Sequence, residues 1–241
     1  MTRFTVRAFT DVGLLRKRNE DAVLVAGWQC QSHDGSLATM DFDPAPPFVC
    51  AVADGMGGHV GGDLASRVAL SVIAQLSPGW RSADGVSSSL EAVNEQVRAV
   101  GASNDLGGLG TTVAGLCFLS DEMLVFNVGD SRIYSITGGT VRQISIDDSV
   151  FDASGRPTNV ITQSLGQPGP VRPHVLSQPL VPGTHLLCSD GVSGMMSFDE
   201  LTEAARQPDL AGCARHIIET TRANGAEDNF SFLIVDVERN A

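Results

Sequence analysis

Carboxylates stand repeatedly where apolar runs end or begin. Asp54 follows Val49-Cys-Ala-Val-Ala53, Asp130 follows Val125-Phe-Asn-Val-Gly129, and Asp190 follows Leu186-Leu-Cys-Ser189. Asp228 immediately precedes the last apolar run, and Glu20 and Asp21 precede Ala22-Val-Leu-Val25. A lone aspartate in such a place is ordinarily a turn former or a helix cap. Six carboxylates at strand ends of one sheet system can instead converge on a single rim, where they repel unless cations neutralise them. The five histidines (33, 59, 174, 185 and 216) form no His-x-His or His-Glu-x-x-His, so a zinc site has little to build on. Hard oxygen ligands suit Mg2+ or Mn2+. Two such ions ~3.5–4 Å apart lower the pKa of a shared water and aim it at a phosphorus centre. The chemistry this predicts is phosphoester hydrolysis.

The elements that must position these groups are mostly short strands. Phe4 to Phe9 alternates polar and apolar, and Phe48 to Ala53 is a continuous apolar run of strand length. From Asp63, Leu64, Val68, Val72 and Leu76 form one helical stripe that ends before Pro78, and Leu90, Val93, Val97 and Val100 form a second. Thr111–Leu119, Met123–Val128, Arg132–Ile136 and Val141–Ile144 read as an antiparallel meander with a Gly138-Gly139 hairpin turn. The polar stretch from Ile146 to Asn159 reads as a surface loop. Ser197-Phe-Asp-Glu200 fits a capping box, and Leu210, Cys213, Ile217 and Thr221 give a further helical stripe. Helix pairs between antiparallel strand runs predict an α+β fold, with sheets in the centre and helices outside, in one domain spanning 1–241. A purely parallel sheet is disfavoured, because most of the turns are too short for a crossover.

Composition removes other functions. The chain has 241 residues, 28 acidic and 16 basic, for a net charge of −12. A nucleic-acid binder needs clustered Lys and Arg, and there is no such cluster. Lys17 is the one lysine, which excludes a P-loop, Schiff-base chemistry and kinase chemistry. No apolar run reaches the ~18 residues of a membrane span, and the amino terminus lacks a signal peptide's apolar stretch. The expected location is therefore cytoplasmic, with no membrane partner. Cys50, Cys117 and Cys188 lie in apolar runs and read as buried thiols.

The joint pattern resembles the metal-dependent Ser/Thr protein phosphatases of the 2C type, particularly the compact bacterial ones. The residues that carry the resemblance are Asp11-Val-Gly-Leu-Leu-Arg16-Lys-Arg-Asn-Glu20-Asp21, Val52-Ala-Asp54-Gly55-Met-Gly-Gly-His59, Gly110-Thr-Thr112, Gly129-Asp130-Ser-Arg132, Ile161-Thr-Gln-Ser-Leu-Gly166, Ser189-Asp190-Gly191 and Asp228-Asn229-Phe-Ser231. They span nearly the whole chain. The resemblance implies a four-layer αββα sandwich with two central, mostly antiparallel sheets. It further implies that Asp54 bridges two Mn2+ or Mg2+ ions with the Gly55 carbonyl as a further ligand, and that Asp190 and Asp228 hold one ion. Glu20 and Asp21 would reach the second ion mainly through water, and Asp130 with Asp190 would take a third. Arg16 would clamp the substrate phosphate, as suits a planar two-pronged cation. Asn229 and His59 would support the centre from behind. The implied partners are phosphoproteins, with a Ser/Thr kinase as antagonist.

Two departures from the family pattern bear on mechanism. Met56 follows Asp54-Gly55, where some members carry a histidine viewed as a general acid, and His59 lies three residues on. Protonation of the leaving group then falls to water or to a metal aquo ligand. The flap segment, about 145–159, is short and acidic, which predicts an open cleft suited to folded phosphoproteins. The alternatives are a regulatory pseudophosphatase that binds phosphoproteins without turnover, and a hydrolase of small phosphoesters. The intact Asp54, Asp190 and Asp228 argue against the first.

Overall fold

The computed structural model describes residues 2–56, 61–152 and 157–239. In chain order the first half comprises β1 (Thr2–Asp11), β2 (Asp21–Val25), β3 (Trp28–Cys30), β4 (Ala38–Phe42), β5 (Phe48–Met56), α1 (Gly62–Leu76), α2 (Ala83–Ser103), β6 (Gly110–Thr111), β7 (Val113–Phe118) and β8 (Glu122–Val128). The second half comprises β9 (Arg132–Thr137), β10 (Thr140–Gln143), β11 (Ser149–Phe151), β12 (Pro157–Ile161), β13 (His174–Pro179), β14 (Gly183–Cys188), α3 (Asp190–Ser193), α4 (Phe198–Ala205), α5 (Leu210–Ala223) and β15 (Phe230–Arg239).

Two sheets form the centre. One runs β10-β9-β14-β15-β1-β4, and the other β13-β8-β7-β5-β2-β3 with β6 beside β5. The pairings within both sheets are antiparallel. Alternation along each strand explains the layering. On β5, Phe48, Cys50 and Val52 face the core between the sheets, while Val49, Ala51 and Ala53 face the core under α1 and α2. On β15, Leu233, Val235 and Val237 enter the inter-sheet core, and Phe230, Phe232 and Ile234 pack under α4 and α5. β5 and β15 are thus apolar on both faces, and the αββα sandwich follows. Among the described residues, no helix is long and apolar enough to cross a membrane.

Three local expectations need correction. The meander is split: β7 and β8 pair in one sheet, while β9 and β10 pair in the other. The chain changes sheet at Gly129, whose φ of 99° only glycine adopts without strain. The deepest face of α1 is Ala65, Ser66, Ala69, Leu70 and Ile73, whereas Leu64, Val68 and Val72 are half-buried at its edge and Leu76 is exposed. Small residues on the inner face let the helix lie close to β5, so the larger side chains flank the contact. Finally, the segment read as a surface loop contains the antiparallel pair β11 and β12. Asp147 and Asp148 at its start fold inward, each side chain only 9% exposed.

The capping box at Ser197 and Glu200 is present, and Cys50, Cys117 and Cys188 are buried. His185 on β14 is buried edge-on against Phe118, with Nδ1 unpartnered, and burial lowers its pKa to about 4. Between pH 6.5 and 4 the unfolded chain binds the proton that folded His185 refuses, so stability falls as pH drops through that window. In urea titrations, His185→Leu should remove up to about 3 kcal/mol of the stability difference between pH 7 and pH 4. An acid dependence identical to wild type would contradict this reading.

Candidate metal and phosphate site

The strand ends bring the predicted residues to one place. Asp21 on β2 lies directly opposite Asp54 on β5 in the sheet register. Asp190 opens α3 after β14, and Asp228 leads into β15, which pairs with β14 in the other sheet. A cavity of about 360 Å3 is lined by Arg16, Glu20, Asp54, Gly55, Met56, Thr112, Asp130, Ile161, Asp190, Asp228 and Asn229. An adjoining cavity of about 340 Å3 shares Arg16, Asp130, Asp190 and Asp228 and adds Leu15, Arg132 and Met195. Asp21 lies outside the lining: it is wholly buried, accepting a 2.7 Å hydrogen bond from Ser189 Oγ. His59 lies outside the described residues.

Backbone geometry allows this convergence. The Gly55 N–H donates to the Glu20 carbonyl (3.1 Å), and a Cβ at Gly55 would collide with the Gly62 carbonyl at the start of α1. Only glycine permits that approach. Asp54 is held through its main chain: its N–H donates to Thr112 Oγ1 (3.2 Å), and its carbonyl accepts from Thr112 N–H and Thr111 Oγ1 (both 2.8 Å).

Asn229, for which the resemblance implied a supporting role, and several residues to which it gave none hold the site together. Asn229 accepts from the Glu20 N–H and donates through Nδ2 to the Val12 and Arg18 carbonyls, all at 2.8 Å. It therefore clamps both ends of the loop that presents Arg16, besides donating its N–H to Asp228 Oδ1. Ser189 ties the Asp21 carboxylate to Ser231, and Ser231 Oγ donates to Thr10 Oγ1. Arg132 pairs with Asp147 at 2.8 Å. Asp148 accepts from the Gly129 N–H, from Gln163 Nε2 and pairs with His174 Nε2, pinning the turn that carries Asp130. For Ser189 and Ser231 the one advance signal was their place in the Ser189-Asp190-Gly191 and Asp228-Asn229-Phe-Ser231 segments.

Electrostatics show the cost of the arrangement. Burial, reinforced by neighbouring carboxylates, raises Asp21 to about 7 and Asp130 to about 6. Burial, then the charges of Asp21 and Asp190, lifts Asp54 well above the carboxylate range, and burial raises Asp190 as well. Glu20 is raised by burial and then by Asp63. For Arg16, burial opposes the charge but Asp228, 2.6 Å away, more than offsets it, so its pKa rises.

Buried carboxylates of like charge call for a counterion, and two buried oxygens, Asp21 Oδ1 and Asp190 Oδ1, have no hydrogen-bond partner. This all-oxygen donor set fits Mn2+ or Mg2+. Among the described residues, no three His, Cys, Asp or Glu side chains already form a complete ligand cluster. Asp54 and Asp190 stand close enough to perturb each other, and Asp228 is turned to Arg16.

The family profile described as Protein phosphatase 2C matches residues 33–231. A serine/threonine phosphatase stp of Listeria welshimeri is 30% identical over 257 residues, covering 96% of this chain and 94% of the relative. The serine/threonine protein phosphatase PstP of Mycobacterium tuberculosis is 29% identical over 247 residues, covering 95% of this chain but 44% of that protein. This chain thus spans less than half the length of PstP. The crystal structure of the PstP catalytic domain in complex with two manganese ions superposes with a TM-score of 0.80 at 27% identity, covering 99% of this chain and 100% of that one.

Asn229→Ala releases both ends of the Arg16 loop while leaving the strands paired. Calorimetric titration should show Mn2+ binding weakened by about 10–100-fold with the circular dichroism spectrum retained. Unchanged affinity would mean that the clamp is irrelevant to the site.

Proposed function

Because the chain belongs to the protein phosphatase 2C family, we propose that it is a serine/threonine protein phosphatase. It hydrolyses phosphoserine and phosphothreonine on proteins at a centre of two Mn2+ or Mg2+ ions. The observation that carries this reading is the cavity in which Asp54, Asp190, Asp228 and Glu20 face Arg16. The two manganese ions of the PstP catalytic domain support the same metal count.

In this proposal Asp54 would be shared by the two ions with the Gly55 carbonyl as a further ligand, Asp190 and Asp228 would hold one of them, and Glu20 and Asp21 would reach the other mainly through water. Asp130 with Asp190 would take a third ion. When bound, the ions supply Lewis acidity that neutralises phosphoryl oxygens and activates water for in-line attack. The protein's part is positioning and charge. Arg16 is half exposed and bound through Nη2 to Asp228 Oδ2, which leaves the other N–H groups of its guanidinium to meet a phosphate. Asn229 fixes the loop from which Arg16 projects. Met56 beside the centre has no proton to give, and among the described residues no histidine lines the cavity. In this reading the leaving oxygen takes its proton from water or from a metal aquo ligand, His59 lying outside the described residues.

The partners in this reading are phosphoproteins, with a Ser/Thr kinase producing them. The location would be the cytoplasm. A binding-only pseudophosphatase has no use for mutually repelling buried carboxylates, so catalysis is the better account.

A phosphothreonine peptide should be hydrolysed with Mn2+ and not with chelator. Asp54→Asn should lower kcat by at least about 1,000-fold. Arg16→Ala should act chiefly on KM, raising it about tenfold, because its interaction with the phosphate is present before the transition state. Binding of the phosphopeptide without turnover under any divalent ion would favour the pseudophosphatase.

A further inference from the structure

A third cavity, of about 470 Å3, lies beside the metal site. Its side chains are mainly those of Met56, Leu106, Leu109 and Ile161, with Arg98 and Gln167 supplying polar groups. Met56 and Ile161 also line the catalytic cavity, so these two side chains form a partition between the spaces. The volume lies within the range of ligand pockets. The walls are pinned. Leu106 N–H donates to the Gly101 carbonyl at the end of α2 (2.9 Å), and Thr111 and Leu165 exchange backbone hydrogen bonds at 2.9 Å each way. The same Thr111 donates through Oγ1 to the Asp54 carbonyl, so one segment braces both the pocket and the central aspartate.

We propose that this pocket is a substrate subsite that takes an apolar side chain flanking the phosphorylated residue. The proposal rests on the phosphatase reading of the adjoining centre. Continuity with the catalytic cavity identifies the occupant: whatever chain delivers its phosphate to Arg16 and Asp54 passes the Met56–Ile161 partition. An extended peptide advances ~3.3 Å per residue and the two cavities share a wall, so the occupant is a near neighbour of the phosphoresidue in sequence. An apolar side chain leaves water for this apolar lining, whereas a carboxylate there would lose hydration without a full set of partners. The pocket therefore confers sequence preference on a centre that otherwise reads only phosphate.

The test is a set of phosphothreonine peptides with Leu, Phe, Ala or Asp substituted singly from three residues before to three after the phosphoresidue. Each is assayed with Mn2+ on wild type, Leu106→Lys and Leu106→Ala. Hydrolysis of p-nitrophenyl phosphate, which has no flanking residue, reports that the metal centre is assembled in each protein. At one position, wild type should favour Leu or Phe over Asp by about tenfold or more in kcat/KM. That ratio should collapse toward one in Leu106→Lys and fall severalfold in Leu106→Ala. Equal rates across the series in wild type would overturn the subsite, as would an undiminished ratio in both variants. Failure of wild type on every phosphate ester would instead overturn the phosphatase reading and the subsite with it.

Discussion

The mutual repulsion of carboxylates held out of water is the constraint on which the rest of the structure depends. Asp54, Asp190, Asp130 and Asp21 all have their pKa values raised, burial being the largest cause and the neighbouring carboxylates adding to it. A folded chain tolerates this only where something of opposite charge is supplied. Arg16 supplies one such charge at Asp228. Divalent cations bound by the same oxygens would supply the rest, and a phosphoryl group is attracted to the excess positive charge that they create.

Holding such groups in place requires a scaffold that does not yield. The sandwich provides it because β5 in one sheet and β15 in the other are apolar on both faces, so neither sheet can slip without exposing a core. The two sheets are joined beneath the cluster by polar contacts. Ser189, after β14, reaches Asp21 on β2, and Asn229, before β15, reaches the loop between β1 and β2. Each of these contacts crosses between segments some 170 to 220 residues apart in sequence. The site is consequently as much a property of the strand ends of both sheets as of the aspartates.

The strand-end aspartates were legible because each adjoins a run of apolar residues, and such a run ends at the rim of a sheet. The sandwich was expected from paired helical stripes between antiparallel strands, and its layer count came from the family resemblance. What stayed hidden depends on distant partners. Asp147 and Asp148 read as solvated because they stand in a polar segment, yet Arg132, Gly129 and His174 draw them inward. The meander was misread because local turns look alike whether the chain stays in its sheet or leaves it at Gly129. On α1, counting large apolar residues selected the wrong stripe, since alanines face the sheet most closely. The resemblance implied that Asn229 supports the centre, but what it clamps stayed hidden, as its acceptors are backbone carbonyls more than 200 residues away.

The central claim is that cations hold the carboxylate cluster together. Anomalous diffraction at the manganese edge, from crystals of the full chain grown with Mn2+, tests it most directly. The account predicts two peaks in the cavity under Arg16, with Asp54 between them and Asp190 and Asp228 on one. A cavity without anomalous density at saturating Mn2+, in crystals whose fold matches the one described, would contradict it.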